Sequence, residues 1–233
     1  AADPVQQGMI AVVADVSGIG DAKRIDEVCK EHDLDRGRFE VLDEPDETRA
    51  GQRAVEMIRT GRAKALMKGV LSTDKYMKCV LDKETGLLPK GGLLTHLSVM
   101  QLPAYHKLLF LSDVAIVPNP SLEQKAKIMT YAVDAAKRFG IEHPKVALIA
   151  ASEKVSSRMP ATMEAAVLSK MAERGQVCGD ALVDGPLALD VAISKEAVEI
   201  KGLKSVVAGD ADVLVFPNIE TGNVFYKSLT SFT

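Results

Sequence analysis

Polar and small residues follow a short apolar run near the end of this 233-residue chain. Residues 213–216 are Val-Leu-Val-Phe, a pattern that predicts a buried strand ending at Pro217. A polar turn follows, and a helix is expected to begin near Val224. The turn contains Asn218, Glu220, Thr221, Gly222 and Asn223. Because N–H groups at a helix start attract anions and a glycine lets a ligand approach the backbone, this junction is a candidate binding site.

The same order of apolar run and polar loop occurs three more times. Residues 63–67 lead into Lys68, Gly69, Ser72 and Thr73, residues 108–111 lead into Ser112 and Asp113, and residues 182–183 lead into the segment 184–190. One polar loop of this kind is ordinary in an α/β protein. Several loops that carry glycine, hydroxyl and other polar groups predict a binding cleft.

Composition excludes several classes of function. With 47% hydrophobic and 26% charged residues, the chain has the balance of a soluble globular protein of one large domain or two smaller ones. A net charge of −3 gives no support to nucleic-acid or membrane-surface binding, and aromatic residues at 4% argue against base stacking. No apolar run approaches the ~18 residues of a membrane span, and no basic segment precedes an apolar core at the N-terminus. We therefore expect a cytoplasmic protein.

Several chemical signatures are missing from the sequence. It contains no Walker A motif, no His-Glu-x-x-His and no Gly-x-Ser-x-Gly. The four histidines lack metal-ligand spacing, so no metal is expected, and the three cysteines are far apart, which indicates buried reduced thiols. Gly18-Ile19-Gly20 resembles the start of a dinucleotide fingerprint, but Lys23 occupies the place of the third glycine. What remains is a set of loops that suits a phosphate-bearing ligand.

Strands and helices alternate through the chain, which predicts an α/β fold with a mostly parallel sheet. Strands are expected at residues 9–14, 38–42, 63–67, 107–111, 146–150, 182–183 and 213–216, and a loop at 15–21. Helices are expected at 22–31, 48–59, 74–81, 161–174 and 194–201, and also after Pro118-Asn119-Pro120, where Ser121 and Gln124 have the spacing of a capping box. The two prolines predict a boundary between a first domain, 1–118, and a second domain, 119–233.

A set of motifs spread over the chain resembles a known family. The motifs are Met67-Lys68-Gly69, Ser72-Thr73, Thr95-His96, Leu-Leu-Phe-Leu-Ser-Asp at 108–113, Met159-Pro160, Leu168-Ser169-Lys170-Met171, Arg174-Gly175-Gln176, Val-Asp-Gly-Pro-Leu-Ala-Leu-Asp at 183–190, Pro-Asn-Ile-Glu-Thr-Gly-Asn at 217–223 and Tyr226-Lys227. Together they are similar to the phosphate acetyltransferase/phosphate butyryltransferase family, with a closer similarity to the butyryl branch. The resemblance runs from about Met9 to the last residue.

The resemblance implies transfer of an acyl group between coenzyme A and inorganic phosphate, with coenzyme A as co-substrate and no bound cofactor. It also implies two α/β domains with a cleft between them, an isopropylmalate-dehydrogenase-like architecture, and a homodimer or higher homo-oligomer. The expected partners are acyl-CoA and phosphate, and neither nucleic acid nor a membrane.

Roles for individual residues follow from the resemblance as hypotheses. The catalytic candidates are His96 and Asp184, and the candidates for binding phosphate or coenzyme A are Lys68, Gly69, Ser72, Thr73, Asn218, Glu220, Gly222, Asn223 and Lys227. Structural alternatives stay open: Ser72 or Thr73 as a helix N-cap, His96 as a structural histidine, and Lys227 as the partner of a carboxylate.

The chain also departs from the family pattern. Family members continue past the helix of Tyr226-Lys227 into a segment with a Ser-Arg pair used at the acyl centre, and Ser157-Arg158 is not that pair. The butyryl branch often has an arginine within 86–92, where this chain has Lys90. Two other functions are therefore kept: a catalytically incomplete protein that binds coenzyme A or acyl phosphate, and an oxidoreductase similar to the decarboxylating dehydrogenases. The second would need clustered aspartates and a dinucleotide site, which the sequence does not show.

Overall fold

The computed structural model describes residues 16–232, except for the side chain of residue 232. The strand predicted at 9–14 lies outside the described residues. Contacts divide the chain into two compact units, the first ending at Gly92 and the second beginning at Leu93. This division falls before the boundary predicted at 118–119, because strands within 93–118 pair into the sheet of the second unit. How the domains of the intact protein divide stays a prediction.

The described part of the first unit, residues 16–92, forms a two-stranded parallel sheet and three helices. Its elements are β1 (Val16–Gly20), α1 (Ala22–Glu31), β2 (Phe39–Asp43), α2 (Glu47–Arg59) and α3 (Thr73–Val80), with a 3-10 turn at Arg36–Arg38. Asp21, Asp46 and Ser72 cap the three helices, each accepting hydrogen bonds from backbone N–H groups of the first turn. The predicted helices at 22–31, 48–59 and 74–81 and the strand at 38–42 are confirmed to within a residue or two.

Two predictions for the first unit are wrong. The loop expected after residue 15 is strand β1, whose residues pair with β2 from Val16 opposite Phe39 to Gly20 opposite Asp43. Gly18 and Gly20 therefore lie within a strand and do not form a glycine-rich turn. The strand expected at 63–67 is absent, since this segment pairs with neither β1 nor β2, and its two alanines and its lysine are residue types that strands disfavour.

The second unit contains a five-stranded sheet in the order β3-β4-β7-β5-β6. Its elements are β3 (Leu97–Met100), β4 (Leu109–Ser112), α4 (Leu122–Arg138), β5 (Lys145–Ile149), α5 (Pro160–Glu173), β6 (Leu182–Leu187), α6 (Leu189–Ile193), α7 (Lys195–Lys201), β7 (Val213–Val215) and α8 (Ile219–Phe232). Only β3 runs antiparallel to its neighbour β4, and all other pairs are parallel. The predicted parallel-dominated α/β fold is confirmed, and the isopropylmalate-dehydrogenase-like likeness stays a prediction.

Both faces of this sheet are buried, which explains the near-continuous apolar strands. Phe110 and Val213 face a core cluster that includes α4 and α5, while Leu111 and Leu214 face a second cluster with α6, α7 and α8. Alternate residues of a strand point to opposite faces, so each apolar run contributes to both clusters. Full burial of one such side chain is worth about 1.5–3 kcal/mol.

Strand β6 extends further than predicted. Its pairing with β5 shifts register between Ala147 and Ile149, so Gly185 and Pro186 together lie opposite one residue, Leu148. Pro186 has no N–H to donate, and the interrupted ladder accommodates it. Gly185 is required there, because a Cβ at this position would lie 2.5 Å from the Leu148 Cβ. The predicted loop that began at Asp184 is therefore wrong at its start.

Helix α8 begins at Ile219, five residues before the position predicted near Val224. The Asn218 side-chain oxygen accepts hydrogen bonds from the Thr221 N–H at 3.0 Å and the Thr221 hydroxyl at 2.8 Å, which starts the helix there. Of the residues predicted to form a polar turn, Asn218 directly precedes α8 and the other four lie within the helix near its start. The capping box of Ser121 and Gln124 at α4 is confirmed.

The three cysteines are unpaired and buried, as predicted. Burial raises the pKa of the Cys178 thiol to about 11, so this group is not an activated thiolate near neutral pH. Among the described residues, no helix is both long and apolar enough to cross a membrane.

Candidate active site

The carboxyl end of the sheet in the second unit brings together three of the sequence motifs. Ser112, Val215 and Leu148 are neighbours in register at the ends of the parallel strands β4, β7 and β5. Strand β3 runs the other way and starts with Leu97 opposite Ser112, so the residue before it, His96, lies at the same edge. The loops of α/β sheets that bind ligands lie at this end.

Asp113 is the buried centre of this edge, with 3% of its surface exposed. Its Oδ1 accepts the N–H groups of Ala115 at 2.7 Å and Ile116 at 2.9 Å, and its Oδ2 accepts the N–H of Val117 at 3.2 Å. The same Oδ2 accepts the Thr95 hydroxyl at 2.8 Å. The carboxylate therefore holds the turn after β4 and the segment before β3 together.

His96 is half-buried and anchored through its backbone. Its N–H donates to Asp113 Oδ2 at 3.2 Å, and its carbonyl oxygen accepts the Ser112 hydroxyl at 2.9 Å. The Nδ1 atom of its ring is buried and has no hydrogen-bond partner within the described part of the chain. A buried polar atom without a partner is uncommon, and it often marks a functional position.

The first turn of α8 packs directly on the turn after β4. A Cβ on Gly222 would lie 2.4 Å from the Asp113 carbonyl oxygen, so only glycine allows this approach. The side-chain amide of the next residue, Asn223, donates to the Val114 carbonyl oxygen at 2.9 Å. The side-chain oxygen of Asn218 and the amide of Asn223 are thus already used within the fold.

Glu220 and Lys227 are exposed and share a face of α8 with Asn223, since the three positions are spaced by three and four residues. Because α8 begins at Ile219, Lys227 lies about 12 Å along the helix axis from its first residue, at about 1.5 Å per residue. Lys227 therefore lies more than two turns into the helix.

The four binding candidates of the first unit surround the start of α3. Ser72 is the N-cap, and its hydroxyl accepts the Lys75 N–H at 3.3 Å, as the structural alternative proposed. Lys68 is exposed, and its ammonium donates to the carbonyl oxygens of Gly69 at 3.2 Å and Leu71 at 2.9 Å. Thr73 and Gly69 are exposed as well. The loop thus presents a cation next to a helix N-terminus, which suits an anion.

The structure does not bring Asp184 close to His96. Asp184 lies within β6, and its side chain accepts the Gly185 N–H at 2.8 Å. His96 precedes β3, at the opposite edge of the five-stranded sheet. Four strand spacings of about 4.8 Å separate the two edge strands by about 19 Å. A catalytic role for Asp184 stays a prediction, and the two side chains are not a pair.

Another polar cluster joins the elements that follow β5 and β6. The Lys201 ammonium contacts Glu153 at 3.1 Å and Asp190 at 2.9 Å. The hydrogen bond from Lys201 lowers the pKa of Asp190. These contacts join the segment after β5 to helices α6 and α7. The described residues contain no group of side chains suited to hold a metal ion.

Asp113 was the main residue missed as a site candidate from the sequence. One signal was present, because a carboxylate directly after a buried strand lies where ligand-binding loops begin. Its partners Thr95 and His96 are 18 and 17 residues away along the chain. Their meeting depends on the antiparallel pairing of β3 with β4, which the sequence does not reveal.

Comparison with known proteins agrees with this fold. The family model described as "Phosphate acetyl/butaryl transferase" matches residues 38–233. A phosphate butyryltransferase of Clostridium acetobutylicum is 44% identical over 221 residues, covering 95% of this chain and 73% of the relative. A phosphate acetyltransferase of Rhizobium meliloti is 45% identical over 210 residues, covering 90% of this chain and 66% of the relative.

A solved structure gives the same result. The branched-chain phosphotransacylase from Enterococcus faecalis V583 superposes with a TM-score of 0.79 and 30% identity, covering 94% of this chain and 85% of that one. The chain belongs to the phosphate acetyl/butyryl transferase family. The resemblance inferred from the motifs is thereby confirmed.

Proposed function

We propose that this protein transfers a short-chain acyl group between coenzyme A and inorganic phosphate, with butyryl as the preferred group. The observation that carries this proposal is the similarity to a phosphate butyryltransferase over 95% of the chain. In the reaction a phosphate oxygen attacks the thioester carbon, the C–S bond breaks, and coenzyme A leaves as the thiol with a proton from phosphate. Acyl phosphate is the other product.

The chemistry requires groups that stabilise the tetrahedral oxyanion and groups that hold phosphate. In this proposal His96 contacts the reacting group at the carboxyl end of the sheet. The Lys68 ammonium, with Gly69, Ser72 and Thr73 at the start of α3, holds phosphate or the pyrophosphate of coenzyme A. Support comes from the exposure of this loop and its position at a helix N-terminus.

The first turn of α8 supplies the remaining candidates. Asn218, Gly222 and Asn223 shape the turn against Asp113, and the exposed Lys227 contributes a cation. Glu220 cannot attract phosphate, so we assign its carboxylate to the N–H and O–H groups of coenzyme A. Assembly as a homodimer and a cytoplasmic location stay predictions.

The test is release of the coenzyme A thiol from butyryl-CoA with and without phosphate. We expect phosphate-dependent release, and we expect butyryl-CoA to exceed acetyl-CoA in kcat/KM. Butyryl has two more methylenes than acetyl, and each is worth about 1–3 kcal/mol of discrimination, so we expect a ratio of about tenfold or more. Binding of coenzyme A without any release would overturn the enzyme assignment. A higher kcat/KM for acetyl-CoA would overturn the butyryl preference alone.

A further inference from the structure

Asp113 is a buried carboxylate that the chemistry proposed above does not use. One oxygen would be enough to form the turn after β4, since Oδ1 accepts the N–H groups of both Ala115 and Ile116. The other oxygen reaches across to the segment before β3, where it accepts the Thr95 hydroxyl and the His96 N–H. Asp113 therefore does more than close its own turn.

The His96 ring needs such an anchor. Its Nδ1 has no hydrogen-bond partner among the residues that the structure describes, so no bond at that atom fixes the orientation of the imidazole. The backbone of His96 is instead held on both sides, through its N–H by Asp113 and through its carbonyl by Ser112. The position of the ring follows from the position of this backbone.

Asp113 is itself held by α8. The closeness of Gly222 to the Asp113 carbonyl and the hydrogen bond from Asn223 to Val114 fix the turn after β4 against the first turn of that helix. A chain of direct contacts thus runs from α8 through Asp113 to His96. Two parts of the candidate site that are far apart in the sequence thus meet at one residue, which contacts α8 through its backbone carbonyl and the Thr95-His96 segment through its carboxylate.

We propose that Asp113 is a positioning residue for acyl transfer, which holds His96 in register with the first turn of α8. It touches neither substrate, and it acts through the backbone of the Thr95-His96 segment. This inference rests on the proposed function. Because displacement of a reacting group by about 1 Å can cost on the order of 100-fold in rate, the expected effect lies in kcat and not in KM.

Two variants and a matched control test the role. Asp113→Asn replaces one carboxylate oxygen by an N–H₂ group, and either orientation of the amide sets that group against two backbone N–H groups, those of Ala115 and Ile116 or those of His96 and Val117. Thr95→Val removes only one donor to Oδ2 and leaves the turn after β4 intact, so it remains informative if Asp113→Asn fails to fold. The control is Asp212→Asn, a carboxylate with 5% exposure that accepts the Lys145 N–H at 2.7 Å at the other end of the same sheet.

Each protein is measured for melting temperature, for kcat and KM with butyryl-CoA and phosphate, and for the ¹⁵N resonances of its histidine rings. The chain has four histidines, so the His96 signals are assigned by their loss in His96→Gln. We expect roughly tenfold to hundredfold lower kcat for Asp113→Asn, a smaller loss for Thr95→Val, KM within about twofold, and shifted His96 signals in both. Asp212→Asn should change the melting temperature alone.

The proposal is overturned if kcat falls in proportion to the loss of melting temperature by the same relation in all three variants. It is also overturned if the His96 signals stay unchanged in Asp113→Asn and Thr95→Val. An unmodified protein without turnover would refute the proposed function and not this inference. In that case the resonances decide, since unmoved His96 signals in Asp113→Asn or Thr95→Val would still exclude a positioning role.

Discussion

At the residue scale, the polar side chains of the candidate site could either bind a ligand or form hydrogen bonds within the fold, and most of them already do the second. Hydrogen bonds to backbone groups already occupy the side chains of Asp113, Asn218 and Asn223. A buried donor or acceptor that loses its partner costs about 1–3 kcal/mol, so substitutions of these residues are expected to lower stability as well as activity. The ring of His96 and the exposed face of α8 are the parts that remain for a ligand.

The two nitrogens of His96 are expected to differ in function. Because Nδ1 is buried, a ligand is expected to reach the ring through Nε2 as a hydrogen-bond donor. Glutamine carries an amide near the position of Nε2, and asparagine near that of Nδ1. We therefore expect His96→Asn to lower kcat by roughly 100-fold or more and His96→Gln to lose about tenfold less.

Steady-state kinetics of both variants with butyryl-CoA and phosphate check this prediction. His143→Gln is the control, because His143 is an exposed histidine that pairs with Asp180 at 3.0 Å. Equal losses in the two His96 variants would contradict the hydrogen-bond role and point to proton transfer, which neither amide performs.

At the element scale, the amino end of the large sheet is held by charge. Asp210 lies between three cationic or potentially cationic groups, with the Lys145 ammonium at 2.8 Å, Lys107 at 3.1 Å and His106 at 2.7 Å. Burial by itself would raise the pKa of Asp210, but the hydrogen bonds from Lys145, Lys107 and His106 outweigh it and hold the pKa well below its usual value. These contacts join the starts of β4 and β5 to the segment before β7.

This arrangement predicts how stability depends on pH. A carboxyl whose pKa is lower in the folded state than in the unfolded chain stabilises the fold above its unfolded pKa of 3.8. That contribution is lost as pH falls from about 4 toward the lower folded value. We expect Asp210→Asn to be less stable than the parent protein at pH 7 and to lose less free energy of unfolding between pH 5 and 2.

Urea denaturation at several pH values measures both effects. Asp180→Asn provides a comparison, because Asp180 also pairs with lysine and histidine but is far more exposed, with 56% of its side chain accessible. Parallel pH profiles for Asp210→Asn and the parent protein would show that Asp210 is not coupled to folding.

Local signals in the sequence predicted helices better than strands or exact junctions. The capping box fixed the start of α4, and the limits of α1 were predicted to the residue. The start of α8 was missed because Gly222 suggests a turn. A glycine is needed at this position for another reason, the close approach of the helix to the Asp113 carbonyl. The strand wrongly predicted at 63–67 and the missed strand β1 have the same explanation. A strand forms where a partner strand pairs with it, and no local pattern encodes that partner.

The candidate site shows the same limit. The residues after β7 were proposed from their types and their position after an apolar run, and His96 was proposed from the family resemblance. The structure places both at the carboxyl end of one sheet. The distance between His96 and Asp184 could not be predicted, since it depends on the strand order β3-β4-β7-β5-β6. Strand order arises from packing between distant segments and leaves little trace in the sequence.

At the scale of the whole molecule, the two units differ in the size of their cores. The second unit has apolar clusters on both faces of its sheet, whereas the cluster of the first unit centres on Val55, Cys79 and Val80 among the described residues. Opening of a segment is governed by the apolar contacts that it loses, so the two units are expected to differ in local stability. The central strands β4 and β7 have every residue buried, while β2 has none.

Hydrogen exchange followed by mass spectrometry checks this expectation. Amides of Leu109–Ser112 and Val213–Val215 should exchange slowest, with an opening free energy close to that of global unfolding. Those of Phe39–Asp43 should exchange at least tenfold faster. Addition of coenzyme A should slow exchange around Lys68 and the start of α3 if that loop binds the ligand as proposed, since binding to the folded state lowers the population of open states. Equal exchange of β2, β4 and β7 would mean that the units unfold as one cooperative body, and their separate cores would then not determine local stability.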